Sequence, residues 1–309
     1  MKNSNRSKAY LSFGHYLKLQ YGCRVRKLSV HSMLTCPNRD GSKGETGCIY
    51  CNNRAFTPRH EIIPIHDQIS GQIEKLKNTT NVKKFIAYFQ TYTNTYAPLA
   101  RLKTMYDTVL AFPDIVALSI GTRPDCVNSE ILDLIESYSD NIDVWIEYGL
   151  QSVHNESLKR ISRGHTVEDF YHAMELTAPR NIKICVHVIL GLPGESHRHV
   201  VQTARKLASL PIQGIKFHPL QVIRQTILEQ WYREGRIKLL DMETYVSWVA
   251  DFIEILSPEV VIQRVTADAH KDWLIAPLWC QNKGRVLQSA DLEFSKRETV
   301  QGAKYNERP

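Results

Sequence analysis

The 309-residue sequence lacks any run of about 18 apolar residues, the minimum that a membrane-spanning helix needs. Residues 1–10 are polar and lack the apolar core of a signal peptide. The chain also lacks low-complexity segments and any internal repeat beyond an alternation of strands and helices. These absences exclude integral membrane proteins, and we expect a globular, cytoplasmic protein with no membrane partner.

Acidic residues are in the minority, because 32 Asp and Glu stand against 39 Lys and Arg, for a net charge of +7. Such a surplus suits a polyanionic partner such as RNA, although many basic enzymes bind no nucleic acid. The chain has seven cysteines, an odd number, and no secretion signal. We therefore expect its thiols to be metal ligands or core residues rather than disulfides.

Short apolar segments alternate with segments of helical periodicity along most of the chain. Pro64 and Ser129 stand at expected helix starts, Ser129 as a side-chain cap. The alternation predicts a parallel α/β sheet, and six or seven units favour a barrel whose chemistry lies at the carboxyl ends of its strands. The predicted strands span 25–30, 85–90, 115–120, 143–148, 183–190, 212–218 and 260–265.

Three cysteines, Cys36, Cys48 and Cys51, share one glycine-rich loop directly after the first predicted strand. Thiolates are soft ligands that select iron–sulfur clusters or zinc. Three thiolates on a four-iron cluster leave one iron open to a non-protein ligand. Structural zinc remains an alternative, because it needs only one more ligand. That ligand could be His31, His60 or Cys23.

The run from Cys36 through Cys48-Ile-Tyr-Cys51 resembles the cluster motif of radical S-adenosylmethionine (SAM) enzymes, in which an aromatic residue precedes the last cysteine. Over nearly its whole length the chain is similar to the short YhcC/MnmL-type radical SAM family. Some members of that family are linked to modification of the wobble uridine of bacterial tRNA. Segments at the predicted strand ends follow the order of the radical SAM module: Gly121–Asp125, Glu147–Ser152, Arg163–His165 and Val188–Glu195.

The sequence also departs from the common radical SAM pattern. Eleven residues separate Cys36 from Cys48, where the commonest motif has three. The glycine-rich stretch that usually follows the second strand is absent. Ligand type and order are nevertheless retained, so the departures bear on the SAM contacts rather than on the cluster.

The resemblance implies an α/β fold of the partial (β/α)6 TIM-barrel type at 23–270, with extensions at 1–22 and 271–309. It implies a [4Fe–4S] cluster on the three cysteines, with SAM chelated by the open iron and cleaved to a 5′-deoxyadenosyl radical. An electron donor such as flavodoxin or ferredoxin would reduce the cluster. The implied SAM-binding residues are Tyr50 near the adenine, Gln90 and Thr93 near the amino group, Glu147 and Gln151 near the ribose or methionine part, Arg163 at the carboxylate and His187 beside the adenosine.

Three functions follow as hypotheses. The leading one is a radical SAM enzyme of tRNA wobble-uridine modification, and the second is the same chemistry on a small metabolite or protein. The third is a zinc-bearing RNA-binding protein. Cys126, directly after a predicted strand, is a candidate catalytic hydrogen-atom donor. Basic residues near the first strand could meet phosphates or form an ordinary solvated face: Lys2, Arg6, Lys8, Arg24, Arg26 and Lys27.

Overall fold

The structure is a computed structural model that describes residues 8–55, 63–267 and 269–305. Seven parallel strands form one sheet, and two short antiparallel strands form a second. The large sheet contains, in spatial order, β1 (Val25–Val30), β2 (Lys84–Phe89), β3 (Ile115–Thr122), β4 (Asp143–Gln151), β5 (Lys183–Leu190), β6 (Gly214–Pro219) and β8 (Val261–Arg264). The small sheet pairs β7 (Val222–Ile223) with β9 (Leu274–Ala276).

The predicted α/β class and all seven predicted strands are confirmed. Two of the strands have the predicted ends, and the ends of the other five shift by at most three residues. Pro64 precedes a helix as expected, but the cap of the helix after β3 is Asn128 rather than Ser129. The Asn128 side chain accepts a hydrogen bond from the Ile131 amide at 2.9 Å. The helices are α1 (Phe13–Tyr21), α2 (Ile65–Thr79), α3 (Leu99–Leu110), α4 (Ser129–Glu136), α5 (Asn155–Arg160), α6 (Val167–Thr177), α7 (His197–Ala208), α8 (Ile227–Arg233), α9 (Met242–Ile255) and α10 (Lys283–Lys296).

The two faces of the large sheet differ in chemistry. Side chains alternate between faces along a strand, and one set is apolar and packs against the helices. Leu28, Phe89, Ile120, Tyr148 and Phe217 are buried in this outer core. The other set faces the inside of the curled sheet and is largely polar, in contrast to the apolar filling of a complete TIM barrel.

Glu147 on β4 lies at the centre of this polar interior and is buried. It accepts hydrogen bonds from Lys27 of β1 at 3.0 Å, from Ser119 of β3 at 2.5 Å and from His187 of β5 at 2.7 Å. Lys216 of β6 is also buried and pairs with the same carboxylate. One carboxylate therefore connects five strands.

Contacts across the interior show that the sheet is curled. Lys27 on the edge strand β1 also donates to Gln263 of β8, the opposite edge strand, at 3.0 Å. Lys216 likewise donates to the Tyr88 hydroxyl of β2 at 3.0 Å. A flat sheet would hold these strands far apart, because neighbouring strands are about 4.8 Å from one another. The arrangement is a half-barrel closed by polar side chains.

Helix α1 covers the end of the half-barrel from which the strands start. Phe13 and Tyr16 lie edge-on to Trp145, the third residue of β4, with ring centroids 6.3 and 6.0 Å away. Such contacts are favourable aromatic geometry. Helix α1 therefore covers the interior at this end, whereas the large cavity among the described residues opens at the carboxyl ends of the strands. The sequence patterns did not predict α1.

Glu147→Gln tests the role of the central carboxylate. The change leaves the two lysine ammonium groups beside a neutral amide, and removal of one partner from a buried ion pair costs about 3–5 kcal/mol. We expect a fall in melting temperature of roughly 6–20 °C for a domain of this size, measured by differential scanning calorimetry. The control is Asp114→Asn, whose exposed pair with Lys77 is worth about 0–1 kcal/mol. Equal effects of the two changes would contradict the assigned role.

Candidate active site

A cavity of about 460 Å³ opens at the carboxyl ends of the strands, above the Glu147 layer. Its volume is within the usual range for small-molecule sites. The cysteine loop forms one wall, and the ends of β2 to β6 and β8 form the rest. The cavity brings together the three predicted cluster ligands and all seven predicted SAM-binding residues: Tyr50, Gln90, Thr93, Glu147, Gln151, Arg163 and His187.

Cys36, Cys48 and Cys51 are free thiols that line this cavity. Burial raises the pKa of Cys51 to about 11, and the neighbouring Cys48 and Cys36 add to the effect while Arg39 opposes it. The three sulfur atoms are therefore close enough to repel one another as thiolates. A cation or a cluster that binds all three would relieve that repulsion.

The spacing of the sulfur atoms distinguishes a cluster from zinc. Among the described residues, the only three potential ligand atoms within 4.8 Å of one another belong to Glu147, Cys185 and His187. The three loop sulfurs are thus more widely spread. On a single zinc ion, with bonds of about 2.3 Å in tetrahedral geometry, they would lie about 3.8 Å apart. A four-iron cluster carries each thiolate on a separate iron, so its ligands need not lie as close together as those of one zinc ion.

The other two zinc candidates that the structure describes lie elsewhere. Cys23 precedes β1 and is therefore at the closed end of the half-barrel. His31 stacks on Tyr92 at 5.7 Å and accepts a hydrogen bond from the Met33 amide. His60 is outside the described residues. Within the described part of the chain, no fourth zinc ligand joins the cysteines.

Backbone hydrogen bonds shape the cysteine loop. The Arg39 amide donates to the Cys36 carbonyl at 2.8 Å, and the Cys51 amide donates to the Cys48 carbonyl at 2.9 Å. Gly47, with φ of 78°, donates to the Asn38 carbonyl at 2.7 Å. This left-handed conformation favours glycine, so Gly47 lets the loop reverse directly before Cys48.

Asn38 fixes the loop to the segment after β4. Its buried side-chain amide donates to the carbonyls of Ser162 and Arg163 at 2.9 and 2.8 Å, and it lies 3.5 Å from the Cys48 sulfur. Gly164 makes this approach possible, because a Cβ there would be 2.1 Å from the Asn38 oxygen. The loop is thus held by a residue that the sequence patterns did not single out.

Arg163 is buried beside the cysteine loop. Its Nε and Nη2 donate to the Gly149 carbonyl at 3.1 and 2.7 Å, and its Nη1 lies 3.8 Å from the Cys48 sulfur. Burial alone would lower the pKa of Arg163, but Tyr50 and Cys48 outweigh burial and raise it. The guanidinium therefore stays charged next to a cluster ligand. A Cβ at Gly149 would come within 2.7 Å of Nη2, so this position must be glycine for Arg163 to fit.

The end of β2 presents polar atoms without partners. The hydroxyl oxygens of Thr91 and Thr93 are buried and have no hydrogen-bond partner among the described residues, and both residues line the cavity. Buried polar atoms are normally paired. These hydroxyls suit a polar ligand, and Thr93 is where the resemblance implies a contact with the SAM amino group.

Gln151, the last residue of β4, adopts an uncommon backbone conformation. Its φ is 76°, and the pairing of β4 with β5 is irregular between Tyr148 and Gln151. A non-glycine residue in this region costs on the order of 1–3 kcal/mol, and such outliers cluster at functional sites. The conformation brings Gln151 to the cavity, as expected of a ligand-binding residue.

Glu147 and His187 line the cavity, but their polar atoms bond to each other at the floor. Burial would raise the pKa of Glu147, but Lys216 and Lys27 hold it well below its usual value. Burial, assisted by Lys216, lowers the pKa of His187 to about 4, so the ring is neutral. Glu147 therefore closes the half-barrel, and the contact with SAM that the resemblance implies stays a prediction.

Cys126 does not line the main cavity. It borders a separate, more open pocket together with Thr95, Pro98 and Ile131. Burial raises the pKa of its thiol to about 12, and the neighbouring Asp125 contributes. The thiol is thus protonated, but its placement does not support the predicted role as a donor of hydrogen atoms to a substrate in the main cavity.

Comparison with known proteins agrees with this geometry. Residues 35–207 match the Radical SAM superfamily, and residues 212–296 match the Radical_SAM C-terminal domain. The chain is 37% identical over 293 residues to Protein YhcC of Escherichia coli (strain K12), covering 94% of each chain. It is 30% identical over 214 residues to a tRNA uridine(34) acetyltransferase of Dehalococcoides mccartyi, covering 68% of this chain and 45% of the relative.

A solved structure confirms the fold. The archaeal Elp3 of Methanocaldococcus infernus, with an N-terminal deletion, matches with a TM-score of 0.68 at 19% identity, covering 90% of this chain and 64% of Elp3. No helix in the described residues is long and apolar enough to cross a membrane. Because the family match spans most of the chain and includes all three cysteines, the chain belongs to the radical SAM superfamily and to the family of YhcC.

Proposed function

We propose that this radical SAM enzyme acts on tRNA, at the side chain of the wobble uridine. The observation that carries the proposal is the cavity itself, in which three cysteines face the strand-end residues of the radical SAM module. Likeness to the uridine(34) acetyltransferase supports tRNA as the substrate class. The [4Fe–4S] cluster and SAM supply a 5′-deoxyadenosyl radical that abstracts hydrogen.

The residues of the cavity divide between the two cofactors. Cys36, Cys48 and Cys51 hold the cluster, and Arg163 keeps a positive charge beside it. Polar residues of the same cavity would hold SAM, and a flavodoxin- or ferredoxin-like protein would supply the electron. The proposed SAM-binding residues are Tyr50, Gln90, Thr93 and Gln151, with Thr91 added because its hydroxyl has no partner among the described residues.

Basic residues near the mouth of the cavity support a polyanionic substrate. The segment 224–238 follows β7, and the Leu228 amide within it donates to the Ile49 carbonyl of the cysteine loop at 2.9 Å. Arg233 pairs with Glu229 and Arg236 with Glu234, so the exposed Arg224 and Lys238 carry the surplus of positive charge. Positive charge beside an active site attracts phosphates.

The basic residues near β1 are less suited to this role. Lys8 pairs with Asp291, and Lys27 points into the half-barrel. Arg24 precedes β1 and is therefore at the closed end, away from the cavity. Lys2 and Arg6 are outside the described residues. Arg26 is exposed on β1, so a basic surface near β1 stays a hypothesis, and the segment 224–238 is the better placed of the two for a substrate in the cavity.

Cys48→Ser tests the cluster ligands. We expect the anaerobically purified or reconstituted variant to lose most of its iron and its broad absorption near ~400 nm, because serine does not replace a thiolate on iron–sulfur clusters. The matched control is Cys23→Ser, which should retain both. Iron analysis and absorption spectra provide the measurements. A variant that keeps full iron content, or a wild type that binds one zinc and no iron, would refute the cluster.

Lys238→Ala tests the tRNA surface against Lys83→Ala, an exposed lysine just before β2 at the closed end. Loss of one phosphate contact should weaken tRNA binding several-fold and reduce the salt slope by about one. The control should bind as the wild type does. Filter binding at several salt concentrations gives both quantities, and undetectable tRNA binding at low salt would favour a small metabolite or protein substrate.

The substrate position is tested directly by nucleoside mass spectrometry of tRNA from a strain that lacks the gene. The expected result is loss or truncation of the side chain on the wobble uridine. An unchanged profile would refute the tRNA substrate while leaving the radical SAM class intact.

A further inference from the structure

The cavity wall formed by β6 and β8 carries an arginine for which the described part of the chain offers no hydrogen-bond or ion-pair partner. Arg264 ends β8, lines the cavity and is half-buried. Its Cα pairs with that of Lys216 on β6, and paired residues of neighbouring strands project to the same face. No residue within 8–55, 63–267 or 269–305 accepts a hydrogen bond from its guanidinium or forms an ion pair with it.

The other interior cations all have partners. Lys27 and Lys216 bond to Glu147, Arg163 bonds to the Gly149 carbonyl, and Arg123 forms a two-point pair with Asp125. Glu147 already interacts with two lysines, a histidine and the Ser119 hydroxyl, which occupy the roughly four acceptor sites of a carboxylate. Positive charge on this wall therefore exceeds negative charge among the described residues.

His218 provides a second unpartnered group on the same wall. It lies two residues beyond Lys216 on β6, lines the cavity and stacks on His187 at 5.3 Å. Its Nε2 is buried and has no hydrogen-bond partner among the described residues. Burial, and next the charge of Arg264, lower its pKa well below the usual value, so the ring is neutral. A neutral ring can donate one hydrogen bond without competing with Arg264 for charge.

We infer that Arg264 and His218 form a receptor for an anionic group of the substrate, a carboxylate or a phosphate. The planar guanidinium offers parallel N–H donors that match either anion. A partly buried arginine without a counter-ion costs free energy, and a bound anion removes that cost. The inference rests on the proposed function only in taking this cavity as the place where the substrate meets the cofactor, and it holds for any anionic substrate.

The receptor and the cluster ligands belong to different elements of one cavity. The cysteine loop follows β1, whereas Arg264 is on β8, and both line the same cavity. Arg163 already provides a guanidinium beside the Cys48 sulfur. A substrate whose anion is bound by Arg264 would therefore lie in the cavity that the cluster ligands also line.

The test uses cluster-loaded protein under anaerobic conditions and compares Arg264→Gln with Arg264→Lys. Arg24→Gln, an exposed arginine at the closed end, is the matched control. Thermal unfolding is followed with sodium acetate, inorganic phosphate or sodium chloride at equal ionic strength. We expect acetate or phosphate, but not chloride, to stabilise the wild type and the control. The apparent affinity should fall at least tenfold in Arg264→Gln and less in Arg264→Lys.

A second measurement gives the melting temperature without added anion. An unpartnered arginine predicts that Arg264→Gln is as stable as the wild type or more stable, because the substitution removes an uncompensated charge. A clear fall in melting temperature would show that Arg264 has a structural partner and would overturn the inference. So would an anion effect that survives in Arg264→Gln.

SAM also carries a carboxylate, so a third measurement tests whether Arg264 binds SAM rather than the substrate. Equilibrium dialysis of labelled SAM should give the same dissociation constant for Arg264→Gln as for the wild type. A tenfold weaker binding of SAM would assign Arg264 to the cofactor and overturn the substrate role. Because no arm uses tRNA, a negative tRNA result leaves this test unaffected, and an anion site can be confirmed where the tRNA proposal fails.

Discussion

A single buried carboxylate determines the shape of this protein. Glu147 on the central strand accepts hydrogen bonds or ion pairs from β1, β3, β5 and β6. The helices on the outer face would bury apolar surface against a flat sheet as well as a curled one. Burial of the Glu147 carboxylate costs desolvation free energy. Hydrogen bonds and ion pairs offset that cost only if donors from both the edge and the central strands reach the carboxylate. Curvature is therefore the geometry that satisfies the buried charges.

The cysteine loop depends on a second set of contacts, which lies directly above that layer. Asn38 and Arg163 both contact the Cys48 sulfur, and each also bonds to backbone carbonyls of the β4 region. Two glycines, Gly149 and Gly164, leave the space that these side chains occupy. Rigid support of this kind holds the loop in place and keeps a cation beside the Cys48 sulfur.

Sequence patterns predicted the elements that depend on residues close to one another along the chain. Short apolar runs identified the seven strands, and three thiols in a glycine-rich loop identified the metal-binding wall. The interior was missed, because Lys216 stands within an apolar run and Lys27 within a basic one. Pairs of polar residues two positions apart were the available signal, as in Lys216 and His218 of β6. The partners of Glu147 lie on four other strands, and no local pattern reports such contacts.

Curvature also decides where chemistry can happen. In a flat sheet of the same strand order, the loop after β1 and the end of β8 would lie at opposite edges, separated by five strands. The bond from Lys27 to Gln263 brings those edges together, so the cysteine loop and Arg264 line one cavity. The polar layer thus does more than stabilise the fold. It brings the two edge strands together, so that one cavity contains both soft sulfur ligands and a cationic hydrogen-bond donor. A molecule that contacts both groups is oriented by charge before it reacts.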